Sequence, residues 1–172
     1  MIKAVSDRGP FIHLAILDRF DLLHRYFQPI LTISQVYEEV VTQGKDRPGA
    51  QELATACESG RVRVMELSDL HTVDQVRHAQ TRIPQVSDVD IMVVAPALEQ
   101  QATLLSDDRP LRMLANALGV SVIGSIGILI KARLEGVIAE LRLLLDRIIE
   151  AGFHLEPQGR IYQDALRRVG EG

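Results

Sequence analysis

The chain has 172 residues, within the ~100 to 200 of a usual single domain, so one compact unit with a sizeable core is expected and two full domains do not fit. Hydrophobic residues make up 47% and charged residues 24%, which excludes a disordered chain, a collagen-like repeat and a disulfide scaffold. The single cysteine, Cys57, cannot form an internal disulfide, and Lys3, Asp7 and Arg8 interrupt any signal-type apolar run at the start, which together point to a reducing, cytoplasmic setting. The net charge of −4 argues against phosphate binding by bulk charge, yet residues 1–108 carry net −6 and residues 109–172 net +2. The acid is concentrated in the first two thirds.

In chain order, Ile2 to Ser6 reads as a strand that ends in the turn signal Asp7-Arg8-Gly9-Pro10. Apolar positions at helical spacing follow from Phe11 to Leu17, with a second helical turn through Leu22, Leu23 and Phe27 that Pro29 breaks. Ile30 to Ile33 is β-branched and strand-like, and Ser34 caps a helix that carries Glu38 and Glu39 to Val41. Residues 50–58 form a helix closed by Gly60, and Arg61 to Leu67 alternate as a half-exposed strand. Residues 68–85 are polar, end near Pro84, and read as a loop or short irregular helix.

Ser87 precedes Asp88 and Asp90 as an N-cap, and the helix runs from Ile91 to Gln100. Thr103 to Ser106 is a strand closed by Asp107-Asp108; residues 110–118 are helical, residues 120–123 a strand, and 126–134 a helix. The uncharged stretch from Met113 to Ile130 is too polar at Asn116, Ser121 and Ser125, and too rich in glycine, to span a membrane. Two more helices, at about 138–151 and 159–169, pack behind. This β-α alternation predicts a three-layer α/β/α fold with a mainly parallel central sheet, one domain over residues 1–172.

Acids recur at the same end of that scaffold. Asp7 and Asp107-Asp108 follow strands, Glu39 lies in the helix after the second strand, and Asp90 lies in the first turn of the helix feeding the fourth. Open α/β sheets form their ligand crevice at the carboxyl ends of the strands. Carboxylates that converge there need a compensating cation, and hard oxygen donors select Mg²⁺ or Mn²⁺. The five histidines show no metal-ligand spacing, and His13, on an apolar helix face, reads as a packed or capped side chain.

The segments Val5-Ser6-Asp7-Arg8-Gly9-Pro10-Phe11-Ile12, Val36-Tyr37-Glu38-Glu39-Val40-Val41, Asp90-Ile91-Met92-Val93-Val94-Ala95-Pro96-Ala97 and Leu104-Leu105-Ser106-Asp107-Asp108-Arg109 resemble, in order, the acidic motifs of PIN-domain proteins, and Ala117-Leu118-Gly119-Val120-Ser121-Val122-Ile123-Gly124-Ser125-Ile126-Gly127 resembles the most distinctive non-acidic segment of the same group. The resemblance is to a prokaryotic branch related to VapC-type toxins and long catalogued as a domain of unknown function, and it covers nearly the whole chain. It implies a metal-dependent endoribonuclease, with Asp7, Glu39, Asp90 and Asp107 or Asp108 as catalytic ligands of Mg²⁺ or Mn²⁺, and a possible place as the toxin of a toxin-antitoxin pair. Arg8, Arg109, Arg112 and Lys131 lie near the expected crevice as phosphate contacts. RNA, a small antitoxin and a second copy of the chain are the partners this reading admits.

Two departures bear on the transfer. The residue after Asp7 is usually Thr or Ser in this group; here it is Arg8, which can hold a phosphate or neutralise Asp7 in place of a metal. The third-acid segment reads Ser87-Asp88-Val89-Asp90, which leaves Asp88 as a rival of Asp90. The alternative function is therefore a PIN-like module that binds nucleic acid or protein without cleaving. A phosphoacceptor receiver-like domain also places acids at strand ends, but it needs a Lys where this chain has Gly124-Ser125.

Overall fold

A computed structural model describes every residue except Leu67 and Pro84. Five strands, β1 (Ile2–Ser6), β2 (Phe27–Ile33), β3 (Val62–Met65), β4 (Thr103–Leu105) and β5 (Val122–Ile123), form one sheet in the order β3-β2-β1-β4-β5. Every pairing is parallel. Ten α-helices are described: α1 (Arg8–Ile16), α2 (Asp21–Tyr26), α3 (Ser34–Tyr37), α4 (Ala50–Glu58), α5 (Leu70–Gln80), α6 (Asp88–Glu99), α7 (Arg109–Ala117), α8 (Ser125–Leu134), α9 (Leu141–Glu150) and α10 (Arg160–Arg168). They cover the sheet, so Ala4, Val5, Leu104 and Leu105 are fully buried and the inner strands show no polar-apolar alternation. Phe11, Leu14, Leu22 and Leu23 of α1 and α2 fill the core beside Ile91 and Val94 of α6.

The strand order decides where a ligand can sit. From β1 the chain steps outward to β2 and β3, then returns to the other side of β1 for β4 and β5. Connections leave β1 and β4 in opposite directions, and that divergence opens a crevice beyond their carboxyl ends. Asp7 and Asp107 stand on its two sides. The register is fixed by Ser6 opposite Leu105 and by the Asp7 amide donating to the Leu105 carbonyl at 2.9 Å.

Four expectations change. Residues 70–80, expected as a loop or short irregular helix, form the regular helix α5, because the Asp69 carboxylate caps it by accepting from the Thr72 amide and hydroxyl at 3.0 and 2.7 Å. Its sparse apolar side, Val73 and Val76, is buried. Phe27, expected in a helix, instead starts β2, which also contains Pro29 and pairs with β1 through Phe27, Ile30 and Leu31. The helix from Ser34 is only four α-helical residues long and continues as one π turn over Glu38–Thr42. The strand expected to reach Leu67 ends at Met65; Leu67 itself and Pro84 lie outside the described residues.

The two C-terminal helices are tied down by one carboxylate. Glu171 accepts from the amides of Leu141 and Arg142 at 2.9 and 2.8 Å, at the N-terminus of α9, and pairs with the Arg133 guanidinium at 2.6 Å. No described helix is long and apolar enough to cross a membrane.

Candidate metal and nucleic-acid site

Asp7 directly follows β1 and takes the N-cap position of α1. Its carboxylate keeps a little exposed surface but is otherwise enclosed by protein, and it accepts from the Ser106 hydroxyl at 3.2 Å. Burial pushes its pKa up to about 6; the Arg8 amide and guanidinium pull the other way, and the negative charge of Asp90 pushes it up again. Ser106 is itself fully buried, and its oxygen also accepts from the Asp108 amide at 3.1 Å, so one hydroxyl links the ends of β1 and β4.

Asp107 is the most thoroughly held of the acids. Its Oδ1 accepts from the Ser125 amide at 2.7 Å, and its Oδ2 accepts from the Ser125 hydroxyl at 2.5 Å and pairs with His13 Nδ1 at 2.7 Å. Burial alone would raise its pKa, but the bonds from His13 and Ser125 outweigh it and hold the carboxyl below the usual range. The packing demands glycine nearby. A Cβ at Gly124 would lie 2.5 Å from Arg112 Nη1 and 2.6 Å from Asp107 Oδ1, and one at Gly9 would lie 3.2 Å from Asp107 Oδ2.

The two ambiguous pairs separate by environment. Asp88 is exposed and pairs outward with Arg77 at 3.0 Å, whereas Asp90 is half-buried and close enough to act on Asp7. Asp90 also closes a capping box, its Oδ2 accepting from the Ser87 amide at 2.7 Å while the Ser87 hydroxyl accepts from the Asp90 amide at 3.2 Å. Asp107 faces inward. Asp108 is exposed and serves as N-cap of α7, accepting from the Leu111 amide at 2.9 Å. Glu38 is exposed, and Glu39, on the π turn, is half-buried and forms an ion pair with Arg8 from the first turn of α1.

Asp7, Glu39, Asp90 and Asp107 therefore belong to one edge of the sheet, and their oxygens suit a hard divalent cation. They are not gathered into a ligand shell. Among the described residues no three His, Cys, Asp or Glu side chains stand together closely enough to hold an ion. Glu39 is engaged by Arg8, Asp107 by His13 and Ser125, and Asp90 in part by its cap.

Three of the four expected cations occupy a neighbouring groove, Arg8 being paired with Glu39 instead. Arg109, Arg112 and Lys131 line a space of about 1060 Å³ that starts at Asp107 and runs between α7, α8 and α10 over Ile126, Ile130 and Phe153. Arg168 joins them from α10. Lys131 is paired with Glu135 at 2.6 Å and sits 5.0 Å from the centre of the Tyr26 ring. Arg112 donates to the Ser106 carbonyl at 3.2 Å. Arg109, Arg112 and Arg168 form no ion pair among the described residues.

A family model described as a PIN domain, DUF3368, matches residues 3–171. The chain belongs to the PIN domain family. Its fold is of the nuclease type, and PIN domains generally use divalent metal ions. No curated protein matches the chain. Among solved structures, that of PAE2754 from Pyrobaculum aerophilum is similar at 12% identity and a TM-score of 0.49, covering 84% of this chain and 98% of that one.

Sequence reasoning missed His13, Ser106 and Ser125 as parts of this PIN site. The available signal was spacing: Gly9 and His13 are one helical turn apart on α1 and face the same carboxylate. Ser125 opens α8, directly after the glycine that admits Asp107.

Proposed function

We propose that this chain is a metal-dependent endoribonuclease of the PIN type, hydrolysing RNA phosphodiesters with Mg²⁺ or Mn²⁺. The observation that carries the proposal is Asp7: a largely enclosed carboxylate at the crevice, near enough to Asp90 to feel its charge, with its pKa raised to about 6. Arg8 offsets that negative charge only in part, and a cation there would relieve the rest. Asp7 and Asp90 would hold the ion, with Glu39 available once it parts from Arg8, and Asp107 contributing through the oxygen lone pair its three bonds leave. When bound, the ion supplies charge stabilisation at the phosphoryl oxygens and a more acidic water. The chain's own groups bind and orient: Arg109, Arg112 and Lys131 can take backbone phosphates, and His13 and Ser125 fix the Asp107 carboxylate. A toxin role with a small antitoxin, or a homodimer, is compatible with this activity.

The Arg8–Glu39 pair favours a second reading, a binding module without turnover, because it neutralises one of the acids. Incubation with single-stranded and structured RNA in Mn²⁺, with EDTA and Asp7→Asn as controls, separates the two. Cleavage that stops with either control supports the enzyme; RNA binding without cleavage under every condition supports the module.

A further inference from the structure

Arg8 is placed where it can do two things. Its side chain is 55% exposed and its partner Glu39 38% exposed, so the pair is open to solvent and free to exchange partners. Exposed ion pairs of this kind are weak, and a guanidinium can bind a phosphodiester through the same fork of N–H donors that it offers a carboxylate. Arg8 also contributes its charge to Asp7, the adjacent residue. The remaining acids at the crevice are held by uncharged amides and hydroxyls or by His13, which leaves Arg8 as the cation directly paired with a candidate ligand carboxylate at this edge among the described residues.

We propose that Arg8 is a gate that couples nucleic-acid binding to ion binding. In the free protein it pairs with Glu39; when a nucleic-acid strand lies in the crevice, Arg8 moves to a backbone phosphate, and Glu39 becomes available to a divalent ion beside Asp7 and Asp90. The inference rests on the nuclease reading and adds an order of assembly to it. Linkage makes the coupling reciprocal: the strand tightens the ion, and the ion tightens the strand. A site built this way stays short of a full ligand shell until its substrate arrives.

The experiment measures Mn²⁺ affinity directly, by the electron paramagnetic resonance signal of free Mn²⁺, for the wild type, Arg8→Gln and Arg8→Lys. Each is titrated with and without a cleavage-resistant phosphorothioate oligonucleotide, and thermal melting confirms that each is folded. Without oligonucleotide, Arg8→Gln should bind Mn²⁺ on the order of tenfold more tightly than the wild type, from the loss of a competing and repelling charge. Arg8→Lys, which keeps the charge, should stay near the wild type. The oligonucleotide should tighten Mn²⁺ several-fold in the wild type and leave Arg8→Gln nearly unchanged, an order-of-magnitude expectation for coupled sites. If wild type and Arg8→Gln bind Mn²⁺ equally, with equal response to the oligonucleotide, the gate is overturned while the metal-dependent reading stands. If neither binds Mn²⁺ at millimolar concentration with or without oligonucleotide, both are overturned.

Discussion

Asp7→Asn should make this protein more stable at neutral pH, and the gain should depend on pH in a calculable way. The unfolded chain ionises Asp7 at its ordinary 3.8, and the folded protein only at about 6. The folded state thus holds the proton more tightly. The stability that comes with the protonated form is fully present below pH 3.8, is lost as pH rises toward about 6, and is absent above that. Linkage puts the penalty borne by the wild type at ~3 kcal/mol at about pH 7.5 and ~1 kcal/mol at about pH 4.5. Asparagine does not titrate and can still accept from the Ser106 hydroxyl, so the variant escapes the penalty at both values. The advantage of Asp7→Asn should therefore grow by ~2 kcal/mol between the two, or ~4 to 8 °C in melting temperature for a chain of this length. Urea denaturation of both proteins at the two pH values measures the difference, and the carboxylates that do not interact with Asp7 cancel in the comparison; Asp90, whose charge acts on Asp7, does not. Added Mn²⁺ should shrink the gap at the higher pH, because an ion compensates the wild-type carboxylate and not the amide. An advantage that is equal at both pH values, or a variant that is less stable at the higher one, would refute the assignment of Asp7 as a largely enclosed charge that Arg8 compensates only in part.

Gly124→Ala should cost ~1 to 3 kcal/mol and loosen the Asp107–Ser125 bonds, because its Cβ would stand 2.6 Å from a carboxylate held by three donors; chemical denaturation gives the first and the Ser125 amide NMR shift the second. Arg109→Ala and Arg112→Ala should each weaken single-stranded RNA binding and reduce the logarithmic salt slope by ~0.7, as read from binding isotherms at several ionic strengths. Glu171→Gln should lose ~1 kcal/mol at neutral pH, since the charged carboxylate caps α9. Burial opposes the shift of Glu171, but the Leu141 and Arg142 amides lower its folded pKa below 4.5. Its contribution is therefore present above pH 4.5 and fades as pH falls through the lowered value, so the variant and the wild type should converge in acid.

Much of the fold is legible because parallel strands, covered on both faces, are short apolar runs such as Ala4-Val5 and Leu104-Leu105, punctuated by turn and capping residues. Helix α5 escaped because it buries little beyond Val73 and Val76, and its one clear sign was the Asp69 cap three residues before Thr72. Phe27 continues the apolar spacing of α2 in sequence, and only pairing with β1 makes it a strand residue. At the site, acids after strands are readable since every parallel strand ends at the same edge. Roles within adjacent pairs are not readable in that way: Asp88 and Asp90 differ by which one closes a capping box toward the crevice, and Asp107 and Asp108 by which one meets α8. The Arg8–Glu39 and His13–Asp107 pairs join residues 31 and 94 positions apart, a distance no local pattern bridges.

The most direct test of the proposed activity is the chemistry of the cut ends. A nucleophilic water, not the neighbouring 2′-hydroxyl, should open the phosphodiester, so mass spectrometry of RNA cleaved in Mn²⁺ and ¹⁸O-water should find linear phosphate ends carrying one ¹⁸O, no 2′,3′-cyclic phosphate, and continued cleavage of a 2′-O-methyl substrate. Cyclic phosphate ends, or cleavage that survives both EDTA and Asp7→Asn, would contradict the account.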